Sequence, residues 1–182
     1  MKNIPASEIE GVRVTESKSA SDSRGTFIKI QTSLEFQDGM DSVAVSTNPR
    51  TGTIRGLHFQ IAPYAEEKIV TCVQGSVFDV IIDMRPGSKT FGKYATFELS
   101  AKNRIQVYLP MGIAHGFQTL QRDTIIQYCL STSYSLEFAF SIDPLGELEI
   151  NWPLKEFFIS EKDASGLSFT MAAYKYAQSL ES

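Results

Sequence analysis

Apolar residues alternate with polar ones along most of this chain. Short runs of β-formers at 26–31, 42–46, 53–60, 68–73, 77–84, 94–99, 105–109, 117–120 and 124–130 predict nine strands. Turn formers separate them: Asp38-Gly39, Asn48-Pro49, Gln74-Gly75, Arg85-Pro86-Gly87-Ser88 and Pro110-Met111-Gly112. Many short strands without intervening helical periodicity predict an all-β sandwich or barrel. Only the ends read otherwise, with a turn at 5–10 and a helix over 168–180. No internal repeat, low-complexity tract or linker divides the chain, so residues 1–182 are expected to form a single domain.

The alternation also sorts side chains between faces. On a regular strand over 53–60, Ile54, Gly56, His58 and Gln60 would share one face and Arg55, Leu57 and Phe59 the other. Lys68 falls with Val70 and Cys72, and Tyr128 with Ile126 and Leu130. A lysine and a tyrosine among apolar neighbours fit an apolar pocket carrying a few polar groups. From alternation alone they equally fit a lysine snorkelling to the rim and a core tyrosine bonded to backbone.

Composition narrows the class. Of 182 residues, 42% are hydrophobic and 21% charged, with a net charge of −4, which points to neither nucleic acid nor an anionic membrane surface. No apolar run approaches the roughly 20 residues of a bilayer span, and Met1-Lys2-Asn3-Ile4-Pro5 shows no apolar signal region. Cys72 and Cys129 fall inside strands without CxxC spacing, as small hydrophobes would. A cytoplasmic, reduced setting is expected.

The chain has only two histidines, His58 in Ile54-Arg55-Gly56-Leu57-His58-Phe59-Gln60 and His115 in Ala114-His115-Gly116-Phe117. Imidazole titrates near neutrality and serves as base or acid with little tuning. These two segments occur in order with Asp22-Ser23-Arg24-Gly25-Thr26-Phe27, Glu67-Lys68, Thr90-Phe91-Gly92, Asn151-Trp152-Pro153 and Ser160-Glu161-Lys162-Asp163. Together, over residues 22–163, they resemble the dTDP-4-dehydrorhamnose 3,5-epimerase family of RmlC-like cupins. The resemblance implies a jelly-roll (cupin) β-barrel, a homodimer, and no metal or organic cofactor. Its substrate would be a nucleotide-diphosphate 4-keto-6-deoxy sugar on the way to a surface polysaccharide or a glycosylated metabolite.

Carried onto this sequence, the resemblance makes His58 the base and Asp163 the carboxylate that orients it. Lys68 becomes the cation beside the enolate oxygen and Tyr128 the acid on the other face. Arg24 and Arg55 would hold the diphosphate, as guanidinium suits bidentate phosphate contacts. Phe27, Asn48, His115, Tyr134 and Lys162 match further substrate-binding positions. Many cupins bind metal through two or three histidines and a glutamate. Here no His-x-His pair exists and Lys68 would repel a cation, so no metal is expected. Four departures stand out: Lys29 and Ala139 replace glutamates, Ser46 a glutamine, and Ser133 the first of two tyrosines. The family uses the first, third and fourth of these positions largely to hold thymine, so an altered base such as that of CDP is expected. Two other functions stay open on the same barrel: a sugar-nucleotide 3,4-ketoisomerase and a non-catalytic sugar-binding cupin.

Overall fold

The alternating segments fold into two facing antiparallel sheets. In the computed structural model, residues 5–30, 36 and 39–181 are described. One sheet runs in the order β1 (Arg13–Glu16), β9 (Ile105–Leu109), β6 (Lys68–Gln74), β11 (Thr124–Leu130) and β4 (Ser42–Asn48). The other runs β12 (Ala139–Ser141), β5 (Ile54–Gln60), β10 (Ile113–Thr119), β7 (Ser76–Asp83) and β8 (Tyr94–Ser100). Strands β2 (Lys18–Asp22) and β3 (Gly25–Lys29) pair only with each other among the described residues, as a separate hairpin. This is the expected all-β jelly roll.

Between the sheets lie Val70, Cys72, Val77, Ile81, Leu99, Val107, Phe117 and Ile126. The second sheet is buried on its other face as well. Its Leu57, Phe59, Val80 and Ile82 pack beneath Trp152 and Phe169, Ala172, Ala173 and Tyr176 of the C-terminal helix. That spacing of i, i+3, i+4 and i+7 is one stripe of a helix. Two helices follow the strands, α1 (Glu161–Ala164) and α2 (Phe169–Ser179). Ser168 caps α2 by accepting the Met171 N–H. Among the described residues no helix is long and apolar enough to cross a membrane.

Several elements differ from the expectation. β1 and β2 were not expected: every residue in them is exposed, so no apolar alternation marks them. β10 begins four residues before the expected 117, because Gly116 lets the strand continue tightly against β5. The 5–10 turn contains a short 3-10 helix at Ala6–Glu8. Gln31 and Asp38, used above for a strand end and a turn, lie outside the described residues.

The largest correction concerns β5. His58 pairs with His115 but Arg55 pairs with Phe117, so Gly56 and Leu57 stand opposite Gly116 alone. This is a β-bulge. Gly56 takes φ +110°, and a Cβ there would lie 2.7 Å from the Gly116 Cα and the His115 carbonyl. The extra residue resets the alternation. Ile54 now shares the helix-side core with Leu57 and Phe59, while Arg55 and His58 line the same cavity on the inner face.

Candidate active site

His58 projects from the middle of β5 and its Nε2 lies 2.7 Å from Asp163 Oδ1. Sequence places these residues 105 positions apart, and α1 brings them together. Ser160 caps that helix by accepting the Asp163 N–H at 3.1 Å. The second carboxylate oxygen accepts the Gly56 N–H, also at 3.1 Å. Asp163 therefore holds both the imidazole and the bulge that orients it. Its side chain is 6% exposed, whereas that of His58 is 46% exposed. Burial would raise the Asp163 carboxyl, but the His58 hydrogen bond, the imidazole charge, the Gly56 amide and Lys162 outweigh it and hold it below the usual carboxylate range. A carboxylate at Nε2 places the ring proton there and leaves Nδ1 as the basic nitrogen.

Two adjoining cavities of about 230 and 220 Å³ meet at His58, Lys68 and Tyr128, which line both. The first continues past Ala44, Glu66, Leu130, Tyr134, Phe140 and Lys162. The second continues past Ser46, Arg55, His115 and Phe117. Lys68 Nζ is buried and lies 2.9 Å from Glu66 Oε1. Tyr128 sits edge-on to the His115 ring, 6.1 Å between centroids. Burial first, and then the charge of Asp79, push its phenol far above its ordinary value, with Arg55 opposing. Tyr128 thus stays protonated throughout the neutral range.

The second cavity has its own imidazole–carboxylate pair. His115 Nε2 lies 2.9 Å from Asp79 Oδ2, both side chains being almost fully buried. Desolvation raises the Asp79 carboxyl, against the pull of His115. Arg55 is steadied by Asn48, whose Oδ1 accepts the Arg55 Nε–H at 2.8 Å, while Asn48 Nδ2 donates to the Ser46 and Thr124 carbonyls. At the rim, Lys162 Nζ reaches the Tyr134 hydroxyl at 3.4 Å.

The structure thus gathers nine of the eleven expected site residues: His58, Asp163, Lys68, Tyr128, Asn48, Arg55, His115, Tyr134 and Lys162. It does not bring Arg24 and Phe27 to them within one chain. Both lie on the β2–β3 hairpin, where Arg24 pairs with Asp22 at 2.7 Å and Phe27 is 73% exposed. They line a separate open hollow formed by the hairpin itself. Two site groups went unnamed in the sequence, Glu66 and Asp79. Asp79 had a signal, since on β7 it shares the inward face with Val77 and Ile81. Among the described residues, no three His, Cys, Asp or Glu gather as a metal would need.

A jelly roll whose cavity presents an oriented imidazole, an ammonium, a buried phenol and a guanidinium belongs to the cupin class and is equipped for acid–base chemistry on an anionic ligand. The sequence model of the dTDP-4-dehydrorhamnose 3,5-epimerase family matches residues 6–170. The dTDP-4-dehydrorhamnose 3,5-epimerase of Sinorhizobium fredii is 39% identical over 166 residues, 86% of this chain and 84% of that one. The structure of a 3,5-epimerase of Legionella pneumophila in complex with dTDP-4-keto-L-rhamnose superposes with a TM-score of 0.85 at 33% identity, covering 96% of each chain. A 3'-monoepimerase of Streptomyces bikiniensis, in complex with dTDP-quinovose, gives 0.83 at 28% identity, covering 100% of this chain and 96% of that one. The chain belongs to the dTDP-4-dehydrorhamnose 3,5-epimerase family.

Proposed function

We propose that this protein epimerises a nucleoside-diphosphate 4-keto-6-deoxy sugar at C3, C5 or both, with His58 as the base. The observation that carries the reading is the half-open His58 ring, fixed by Asp163 and facing a cavity shared with Lys68 and Tyr128.

A C–H bond beside the 4-keto group is acidified by the carbonyl. His58 Nδ1 takes the proton, the bonding pair moves into the ring as an enolate, and Asp163 stabilises the imidazolium that forms. The Lys68 ammonium, on the same cavity wall, is placed to stabilise the enolate oxygen. Tyr128 returns a proton to carbon from the other face and is re-protonated from solvent, as His58 loses its proton to solvent. The centre is inverted and no net proton or electron is consumed.

Arg55 and His115 in the second cavity would take the diphosphate, and Tyr134 and Lys162 would flank the sugar from the rim. Arg24 and Phe27 join this scheme across a homodimer. A free-standing hairpin with exposed Phe27 and Ile28 is suited to reach a second copy, where Arg24 would supply a phosphate contact and Phe27 a stacking face. Lys29, on the same hairpin, together with Ser46 and Ser133, favours a base other than thymine.

Incubation with dTDP- and CDP-4-keto-6-deoxyglucose in deuterated water, read by NMR at C3 and C5, tests the function. Deuterium entering either carbon with inversion is expected. Binding without exchange would make the protein a sugar-binding cupin, and migration of the keto group to C3 would make it a ketoisomerase.

A further inference from the structure

Gln60 closes the inward face of β5 two residues beyond His58, is buried, and has no part in the chemistry above. Its Oε1 accepts the Ser135 N–H at 2.8 Å. Its Nε2 donates to the Tyr64 carbonyl at 3.1 Å and the Ser133 carbonyl at 3.3 Å, and lies 3.5 Å from Glu66 Oε2. A backbone N–H only donates and a carbonyl only accepts, so these partners fix the orientation of the amide. The other oxygen of Glu66 holds Lys68 at 2.9 Å.

One buried amide therefore ties together the two segments that wall the first cavity. One is the loop at 131–138, which carries Tyr134. The other is the segment at 61–67, which carries Glu66 and, through it, the Lys68 ammonium. Tyr64 packing against Phe138 with tilted rings 5.1 Å apart, and the Ile61 N–H on the Phe138 carbonyl at 3.0 Å, join the same segments further out.

We propose that Gln60, acting with Glu66, is the positioning residue for the sugar end of the pocket: it holds the Tyr134 wall and the Lys68 ammonium at fixed distances from His58. The proposal rests on the epimerase reading. Lys68 offers its remaining N–H donors to an enolate oxygen only while Glu66 aims the ammonium, and Glu66 is itself placed beside the Gln60 amide. The diphosphate end has separate supports, Asn48 for Arg55 and Asp79 for His115, so Gln60 should govern turnover rather than nucleotide affinity.

The test uses Gln60→Met, of similar length without polar atoms, and Gln60→Glu, which keeps the acceptor for Ser135 but loses both donors. Amide hydrogen exchange of the 131–138 segment, without substrate, should quicken tenfold or more in Gln60→Met. Solvent deuterium uptake into substrate should fall at least tenfold in kcat in both variants, while dTDP and CDP dissociation constants stay within about twofold. Unchanged loop exchange in Gln60→Met overturns the proposal. So does a parallel loss of nucleotide affinity, kcat and melting temperature, which marks a purely structural residue. Should Gln60→Met fail to fold, the kcat-to-affinity split in Gln60→Glu decides. If the native enzyme itself exchanges no deuterium, the epimerase reading has failed, and the loop measurement alone judges whether Gln60 positions this wall.

Discussion

Replacing Asp163 by asparagine is the sharpest perturbation of the proposed base. Asp163 accepts from His58 Nε2 through one oxygen and from the Gly56 amide through the other. Asparagine has one acceptor and one donor for these two places. With its oxygen on Gly56, its NH₂ donates to Nε2, every group is satisfied, and the ring proton moves to Nδ1. The nitrogen that should accept the substrate proton is then occupied. The productive tautomer needs the amide reversed, with NH₂ against the Gly56 N–H, which leaves a buried donor unpaired at about 1–3 kcal/mol. The imidazolium also loses a charged partner for a neutral one, about a further 1–2 kcal/mol. The sum, about 2–5 kcal/mol, predicts a fall in proton abstraction of roughly 30- to 5,000-fold. His58→Asn should lose at least as much, since the other histidine is committed to Asp79. Deuterium uptake at C3 and C5 measures the rate, and calorimetry with the nucleoside diphosphate should show binding unchanged. Exchange within threefold of native in Asp163→Asn would refute the tautomer argument and the assignment of the base.

The remaining predictions concern the proposed dimer, the nucleotide and acid stability. Arg24→Ala and His58→Ala should each be nearly inactive alone, and mixing them should restore activity, because one site of the mixed dimer then combines an intact hairpin with an intact pocket. No recovery on confirmed subunit exchange would place Arg24 outside the partner's site. The substitutions at Lys29, Ser46 and Ser133 predict kcat/KM at least tenfold higher for a CDP-linked than for a dTDP-linked substrate, as each lost base contact is worth roughly 1–3 kcal/mol; a tenfold preference for dTDP refutes this. Asp83→Asn should cost about 3–5 kcal/mol in denaturant unfolding, because the fully buried carboxylate accepts from Arg85 at 2.8 Å, Ser88 at 2.6 Å and Thr90 at 2.7 Å; a cost below about 1 kcal/mol would show the network to be dispensable. Burial would raise the Asp83 carboxyl, yet these bonds hold it below its ordinary 3.8, so the stability it supplies is complete above about pH 4 and fades as pH falls through its lower native value. Asp83→Asn should remove that part of the acid slope.

What the sequence made legible follows burial, except at β3, whose exposed Phe27 and Ile28 still read as a strand. The central strands announce themselves because they bury side chains on at least one face, and α2 because its apolar stripe meets the second sheet. β1 and β2 bury nothing, so Arg-Val-Thr-Glu and Lys-Ser-Ala-Ser-Asp look like loop. Lys68 and Tyr128 were placed correctly by alternation, since β6 and β11 run regularly through those residues. Arg55 was sent to the wrong face because a bulge is a backbone event with no side-chain period, and only the lone Gly56 hinted at it. Glu66 lies in an irregular segment where periodicity carries no information. Arg24 and Phe27 are named by resemblance alone, and a single chain folds them away from the cavity.

The bulge at Gly56 makes the main chain a gauge. Guanidinium and imidazole, three residues apart on one strand, look into one cavity because the main chain turns both toward it. With Arg55 on the diphosphate and His58 at the ring, as proposed, that gauge measures the linker between nucleoside and sugar. On that reading a monophosphate-linked sugar should be a poorer fit to the pair. Side-chain changes at the rim, at Tyr134 or Lys162, can retune the ligand step by step, whereas deleting one residue from β5 would return Arg55 or His58 to the helix-side face at once. If those roles hold, selectivity for linker length is written in residue count, and the pocket can drift in chemistry without drifting in reach.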